Sequence, residues 1–214
     1  MVVFHDRDLG RMCGLPTKTI ADYNYDELPP LKIPVGLQHS QGALDKDSAR
    51  IPLLRDLLKE FPKYPMQIDC KFGKDSLILA TGKMLQDHDR CQETVWGSFH
   101  YRTSRRMRAL FGEMIPRFLP FYRICWSFLL YKIGFLGLLN IPEKAMIMPD
   151  LMVLDRGFIS AMQSRGLKVI VFGVRNGGIN SFESFQKIHS FGVDGICTDR
   201  PSLLKAWIDQ RGGW

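Results

Sequence analysis

Short apolar runs alternate along the chain with stretches in which apolar residues recur every three or four positions. Residues 2–4 (Val2, Val3, Phe4) are a brief β-like run that closes on His5-Asp6. Over 48–61, Ile51, Leu54, Leu57, Leu58 and Phe61 fall at helical spacing, which predicts an amphipathic helix capped by Ser48. Further strands are expected at 66–72, 94–97, 145–153, 168–174 and 193–198. Helices are expected at 76–87, 101–111, 157–165, 181–191 and 202–211. This βαβα rhythm predicts a parallel sheet with outer helices, either a (β/α) barrel or a doubly wound sheet. No Gly-rich dinucleotide turn or phosphate loop occurs, which counts against a nucleotide-binding sheet.

One stretch breaks the rhythm. Residues 118–141 read FLPFYRICWSFLLYKIGFLGLLNI, with Arg123 and Lys132 as the only charges. The length approaches that of a bilayer span. Pro120, two glycines and the two cations also suit a segment lying in the membrane interface, with Tyr122, Trp126 and Tyr131 and the cations at headgroup level. A buried hydrophobic helical hairpin is the third reading.

Composition narrows the classes. A chain of 214 residues is natural for one domain with one sizeable core, and an apolar fraction of 45% excludes a disordered chain. The net charge of +7 is compatible with nucleic acid, anionic membrane or phosphorylated substrate. The basic residues do not form a nucleic-acid arm; their densest run, Arg102, Arg105, Arg106 and Arg108, precedes the apolar stretch, and no nucleic-acid partner is expected. The cysteines, at 13, 70, 91, 125 and 197, are odd in number and follow no metal-binding spacing, which predicts reduced thiols. The β-like start predicts no N-terminal targeting segment.

In barrels of this kind, functional residues sit at the C-terminal ends of strands. The first apolar run ends in His5-Asp6, and histidine is suited to proton transfer near neutral pH. The second carries Asp69 and Lys71, which share one strand face by the period of two. A carboxylate beside a lysine suits a divalent cation and an anionic transition state. The last run ends in Thr198-Asp199-Arg200-Pro201. Each pattern also has a structural reading, as turn residues or a solvated surface pair. His39, His88, His100 and His189 have no such context.

In order along the chain, His5-Asp6-x-x-Leu9-x-Arg11 with Gly14, then Tyr25-Asp26-Glu27-Leu28-x-x-Leu31, then Ile51-Pro52-x-Leu54, then Ile68-Asp69-Cys70-Lys71, then Gly192 to Pro201 (GVDGICTDRP), resemble the glycerophosphodiester phosphodiesterase family. The apolar stretch resembles its membrane-associated mammalian branch, whose members act as lysophospholipase D enzymes. The resemblance implies a TIM barrel of the phosphatidylinositol-phosphodiesterase-like type over 1–214, with 118–141 as a membrane-associating insertion. It implies hydrolysis of glycerophosphodiesters or lysophospholipids with Ca²⁺ or Mg²⁺, at a membrane surface of the endoplasmic reticulum or perinuclear region. By the same comparison His5 matches the second of two acid/base histidines, Asp69 a metal-binding carboxylate, Lys71 a lysine near the phosphate, and Asn176 a substrate-binding asparagine. Gly173 stands where the family often has tryptophan.

The family's HRG strand, its PENT-like helix start and its E-x-D strand have no counterpart ahead of His5. The comparison therefore implies an N-terminally truncated, incomplete barrel that lacks the first one or two strands. Two histidines divide proton delivery and removal in this chemistry, so the alternative expectation is a catalytically impaired, membrane-associated interaction protein.

Overall fold

The structure, a computed structural model, describes residues 1–32, 49–62, 64–71, 73–151, 155–174 and 178–214. The chain divides into two compact units, Met1–Lys63 and Tyr64–Trp214.

In the first unit the expected strand over 2–4 is reduced to a single antiparallel bridge between Val2 and Leu53. It is held by Val3 N–H donating to the Pro52 carbonyl (2.8 Å) and Leu54 N–H donating to that of Met1 (3.1 Å). Helix α1 (Gly10–Cys13) ends at Gly14, whose φ of +81° is the left-handed conformation that suits glycine. Helix α2 spans Leu54–Glu60, a shorter element than the 48–61 expected. Pro52 disfavours helical geometry at the residue before it, and Leu53 is extended. Ser48 lies outside the described residues. Leu9, Cys13 and Ile51 form this unit's core, with Val2, Phe4 and Leu15 against them.

The second unit alternates strands and helices in the expected order. Strand β1 (Met66–Asp69) is followed by α3 (Asp75–Asp87), β2 (Thr94–Gly97), α4 (Tyr101–Phe111) and α5 (Phe121–Lys132). Then come β3 (Ala145–Pro149), α6 (Arg156–Gln163), β4 (Lys168–Phe172), α7 (Phe182–His189), β5 (Gly195–Cys197) and α8 (Pro201–Gln210). Among the described residues all strand pairs are parallel, β1 with β2, β3 with β4, and β4 with β5.

A strand position that the periodicity does not reveal joins the two groups. Trp96 N–H donates to the Pro116 carbonyl (2.9 Å), Phe118 N–H to that of Trp96 (3.1 Å) and Leu119 N–H to that of Ala145 (2.9 Å). Residues 116–119 thus lie between β2 and β3 as a parallel rung. Phe118 and Leu119, expected to open the membrane-associating segment, are fully buried core residues instead.

Side chains alternate across this sheet with period two. Leu119, Met146, Met148, Val169 and Val171 face the helices and pack against Phe158, Met162, Phe185 and Trp207. Phe118, Ala145 and Ile147 face the other way and meet Val95, Phe99, Ile170 and Phe172. Both faces are covered, which is why β3 (AMIMP) and β4 (KVIVF) are almost continuously apolar. Parallel strands, outer helices and an apolar inner layer are the arrangement of a TIM barrel, and the described strand positions form an incomplete one.

The stretch 118–141 is not one helix. After the buried rung, α5 covers twelve residues and a 3₁₀ turn follows at Leu136–Leu138. Ile124 and Leu136 are buried in the sheet–helix core, and Phe128 meets Phe158 edge to face at 5.2 Å. Among the described residues no helix is long and apolar enough to cross a membrane.

Candidate functional site

In the first unit His5 follows the bridge residue Val2, and in the second Asp69 closes β1 with Lys71 two residues on. In the first unit the His5 imidazole is exposed, and its Nδ1 lies 2.8 Å from Asp6 Oδ1. Arg11 grips the same carboxylate twice, Nε to Oδ2 at 2.8 Å and a terminal nitrogen to Oδ1 at 3.0 Å. The Arg11 hydrogen bond holds the Asp6 carboxyl below its usual range against a partial desolvation cost, with His5 adding to the effect. An ionised Asp6 can only accept, so the ring proton belongs on Nδ1 and Nε2 is left to exchange a proton. A carboxylate that orients an imidazole in this way suits general acid/base work. Arg11 appears in the sequence motif without a role; its function as the clamp on Asp6 is visible only in the structure.

In the second unit Asp69 closes β1, and Lys71 follows on the same face, its Nζ 3.5 Å from Asp69 Oδ2. Register places Asp69 beside Gly97 and Gln67 beside Val95, so Asp69 lies on the inner, barrel-facing side. Cys70, between them, faces the opposite way. Its burial, with the Asp69 charge beside it, pushes the thiol up to about 12, against a smaller opposing hydrogen bond from Thr81.

An aromatic wall near these strand ends has no counterpart in the sequence reading. Phe99 meets Phe118 at 5.2 Å and Phe172 at 5.9 Å between ring centroids. A Cβ on Gly97 would come within 2.8 Å of the Phe118 ring, so glycine is needed there for the ring to lie over β2. The only sequence signal was the period of two across strands whose inner face had not been assigned.

The third polar strand end is a closed structural network. Asn180 Oδ1 accepts from Thr198 Oγ1 (2.6 Å) and from Asp199 N–H (2.9 Å), and Asn180 Nδ2 donates to Asp199 Oδ2 (3.1 Å). Arg200 N–H then donates to Thr198 Oγ1 (3.0 Å), and Pro201 opens α8. Asp194, within the same motif, accepts from Val169 N–H, Gln163 and Lys168 at the start of the strand. Asn176 lies outside the described residues.

Of the predicted membrane-contact residues, Tyr122 and Trp126 are about half exposed, at 45% and 51%. The other three bond within the protein. Arg123 donates to the Asn140 carbonyl (2.5 Å) and lies 3.6 Å from buried Glu143. Lys132 Nζ (2.5 Å) and Tyr131 OH (3.3 Å) both reach Asp155, the N-cap of α6.

The described residues do not by themselves fit a divalent cation. They bring together no group of three His, Cys, Asp or Glu side chains able to hold one. Strand β1 supplies a single carboxylate, already paired with Lys71, whereas Ca²⁺ takes six to eight oxygens and Mg²⁺ an octahedral set.

The model of the glycerophosphoryl diester phosphodiesterase family matches residues 136–203. Lysophospholipase D GDPD3 of Mus musculus is 27% identical over 237 residues, covering 99% of this chain and 70% of that protein. Over residues 136–203 the chain is similar to the glycerophosphodiester phosphodiesterase family. Family members are phosphoric diester hydrolases. Lysophospholipase D GDPD1 of Homo sapiens is 26% identical, covering 97% of this chain and 72% of that protein. Among solved structures, a glycerophosphodiester phosphodiesterase from Agrobacterium tumefaciens superposes with a TM-score of 0.64 at 19% identity, over 99% of this chain and 81% of that one. A glycerophosphoryl diester phosphodiesterase domain from Mycobacterium tuberculosis gives 0.64 at 13% identity, over 96% and 82%. At such identities these two matches speak for the TIM-barrel fold alone.

Proposed function

We propose that this chain hydrolyses lysophospholipids or glycerophosphodiesters in the manner of a lysophospholipase D. With lysophosphatidylcholine, water cleaves the phosphodiester on the headgroup side and yields lysophosphatidic acid and choline. The observation that carries this reading is the Asp69–Lys71 pair on the inner face at the end of β1, within a chain that matches lysophospholipase D relatives over nearly its whole length.

His5 moves the proton. Asp6, clamped by Arg11, holds Nδ1 and leaves Nε2 to exchange a proton. Lys71 stabilises the charge on the phosphate as it develops, and Asp69 orients the ammonium. The family resemblance gives Asp69 a metal-ligating role and Asn176 a substrate-binding one, and it favours Ca²⁺ or Mg²⁺ as the ion. The resemblance also points to an endoplasmic reticulum or perinuclear membrane as the place of action.

Mass spectrometry of the products from lysophosphatidylcholine and from glycerophosphocholine tests the reading. Choline with lysophosphatidic acid supports it. A fatty acid with glycerophosphocholine would mean that an ester, not the phosphodiester, is cut. Vesicle binding without either product would favour the interaction-protein alternative.

A further inference from the structure

Three buried polar atoms on the helix-facing side of the sheet have no hydrogen-bond partner among the described residues. They are Thr94 Oγ1, Trp96 Nε1 and Arg117 Nε. Thr94 and Trp96 are 0% exposed and Arg117 is 3% exposed, so bulk solvent does not reach them. A polar atom buried this deeply is costly unless it is paired.

Strand register gathers the three. Val95 packs on the inner face, so Thr94 and Trp96, on either side of it in β2, both point outward. Phe118 is also an inner residue, which turns Arg117 outward beside them. Trp96 and Arg117 stand opposite one another in a parallel bridge. Trp96 N–H bonds to the Pro116 carbonyl (2.9 Å) and Phe118 N–H to that of Trp96 (3.1 Å), which fixes this register. On the helix side, Phe111 of α4 meets the Trp96 ring edge to face at 5.1 Å. Asp69 lies on the inner face, so this outward cluster is distinct from the candidate site.

The chemistry of the set selects its ligand. The indole and guanidinium N–H groups can only donate, whereas the Thr94 hydroxyl also accepts. The ligand must accept from two donors. A water molecule does so with its two lone pairs and can return a hydrogen to Thr94 Oγ1. Three hydrogen bonds are what a buried water typically makes. An anion suits the set less well. Glu113 Oε1 already accepts from Arg117 at 2.7 Å and balances the guanidinium, so a second anion would bury a net charge.

We infer that Thr94, Trp96 and Arg117 bind one buried structural water between β2 and the rung at 116–119. The water ties the rung to β2 on the outer face, while Phe118 packs over Gly97 on the inner one. This inference does not depend on the reaction proposed above.

Thr94→Val keeps the shape of the side chain and removes the hydroxyl. With a bound water the variant loses one bond of the network, and urea unfolding should show the folding equilibrium constant falling about 5-fold. With a hydroxyl that has no partner, the same change removes a desolvation cost. An unchanged or higher stability of Thr94→Val would therefore overturn the inference. A high-resolution crystal structure of the full chain is the second measurement. The expected result is one water peak roughly 2.7–3.2 Å from all three atoms. The absence of that peak, an indole N–H directed into the Phe111 ring, or a bromide peak at the same place after a halide soak would each overturn the inference.

Discussion

Phe118 lies over Gly97 so closely that a β-carbon on the glycine would sit 2.8 Å from the ring. This contact fixes the spacing between β2 and the rung at 116–119, and both residues neighbour the strand end that carries Asp69. Gly97→Ala forces the ring to move and should cost about 1–3 kcal/mol, as overpacked cores do. Phe118→Ala leaves a cavity and should cost about 3–5 kcal/mol. Urea unfolding of both variants measures these effects. Wild-type stability in Phe118→Ala would contradict a core position for this residue and return it to the surface segment.

Asp155 ties α5 to α6. It caps α6 by accepting from Phe158 N–H at 2.9 Å and pairs with Lys132 at 2.5 Å. The Lys132 hydrogen bond, helped by the Phe158 N–H, holds its carboxyl below the usual value of 3.8. A depressed carboxyl stabilises the folded state above that value, and the stabilisation is lost as pH falls below it. Asp155→Ala should cost about 1 kcal/mol through the lost cap. Asp155→Asn should keep most of the cap and flatten the acid limb of the stability curve. An unchanged acid limb in Asp155→Asn would show that the pair with Lys132 does not contribute.

Cys70 should resist alkylation in the folded protein at mildly alkaline pH, while exposed Cys125 reacts. The Cys70 thiol is raised from 9.0 to about 12, mainly by burial. A raised thiol contributes stability that is complete below 9.0 and is lost as pH climbs toward about 12. Mass-spectrometric mapping of iodoacetamide adducts, with urea unfolding of Cys70→Ala across the alkaline range, checks both statements. Rapid labelling of Cys70, or an identical alkaline loss in the variant, would contradict them.

Divalent cations should bind weakly. One carboxylate already paired with Lys71 gives a dissociation constant no tighter than about 10⁻⁴ M, the range of poorly provided oxygen sites. Isothermal titration with Ca²⁺ and Mg²⁺, on wild type and Asp69→Asn, measures this directly. Submicromolar binding would show that donors beyond those gathered in the described residues complete a site.

Much of the second unit was legible because its helices are amphipathic and its strands are apolar on both faces. The strand end with Asp69 and Lys71 followed from the period of two alone. The rung at 116–119 was not legible, since Phe118 and Leu119 run without a break into the apolar face of α5 and hydropathy does not separate a core strand from an exposed helix. The run at 2–4 misled for the opposite reason. Its composition is that of a strand, but among the described residues it makes one bridge, Val2 to Leu53. Ion-pair choices were also invisible, because Arg123 and Lys132 read as headgroup cations until Glu143 and Asp155 were placed beside them.

The most direct test of the central proposal is choline release from lysophosphatidylcholine by wild type, His5→Ala and Lys71→Ala, with Lys205→Ala as a surface control. The expected result is wild-type release that falls about 10²–10⁴-fold without the imidazole and about 10²–10³-fold without the ammonium, while the control is unchanged. A folded wild-type chain that releases no choline, or a His5→Ala variant as active as wild type, would contradict it.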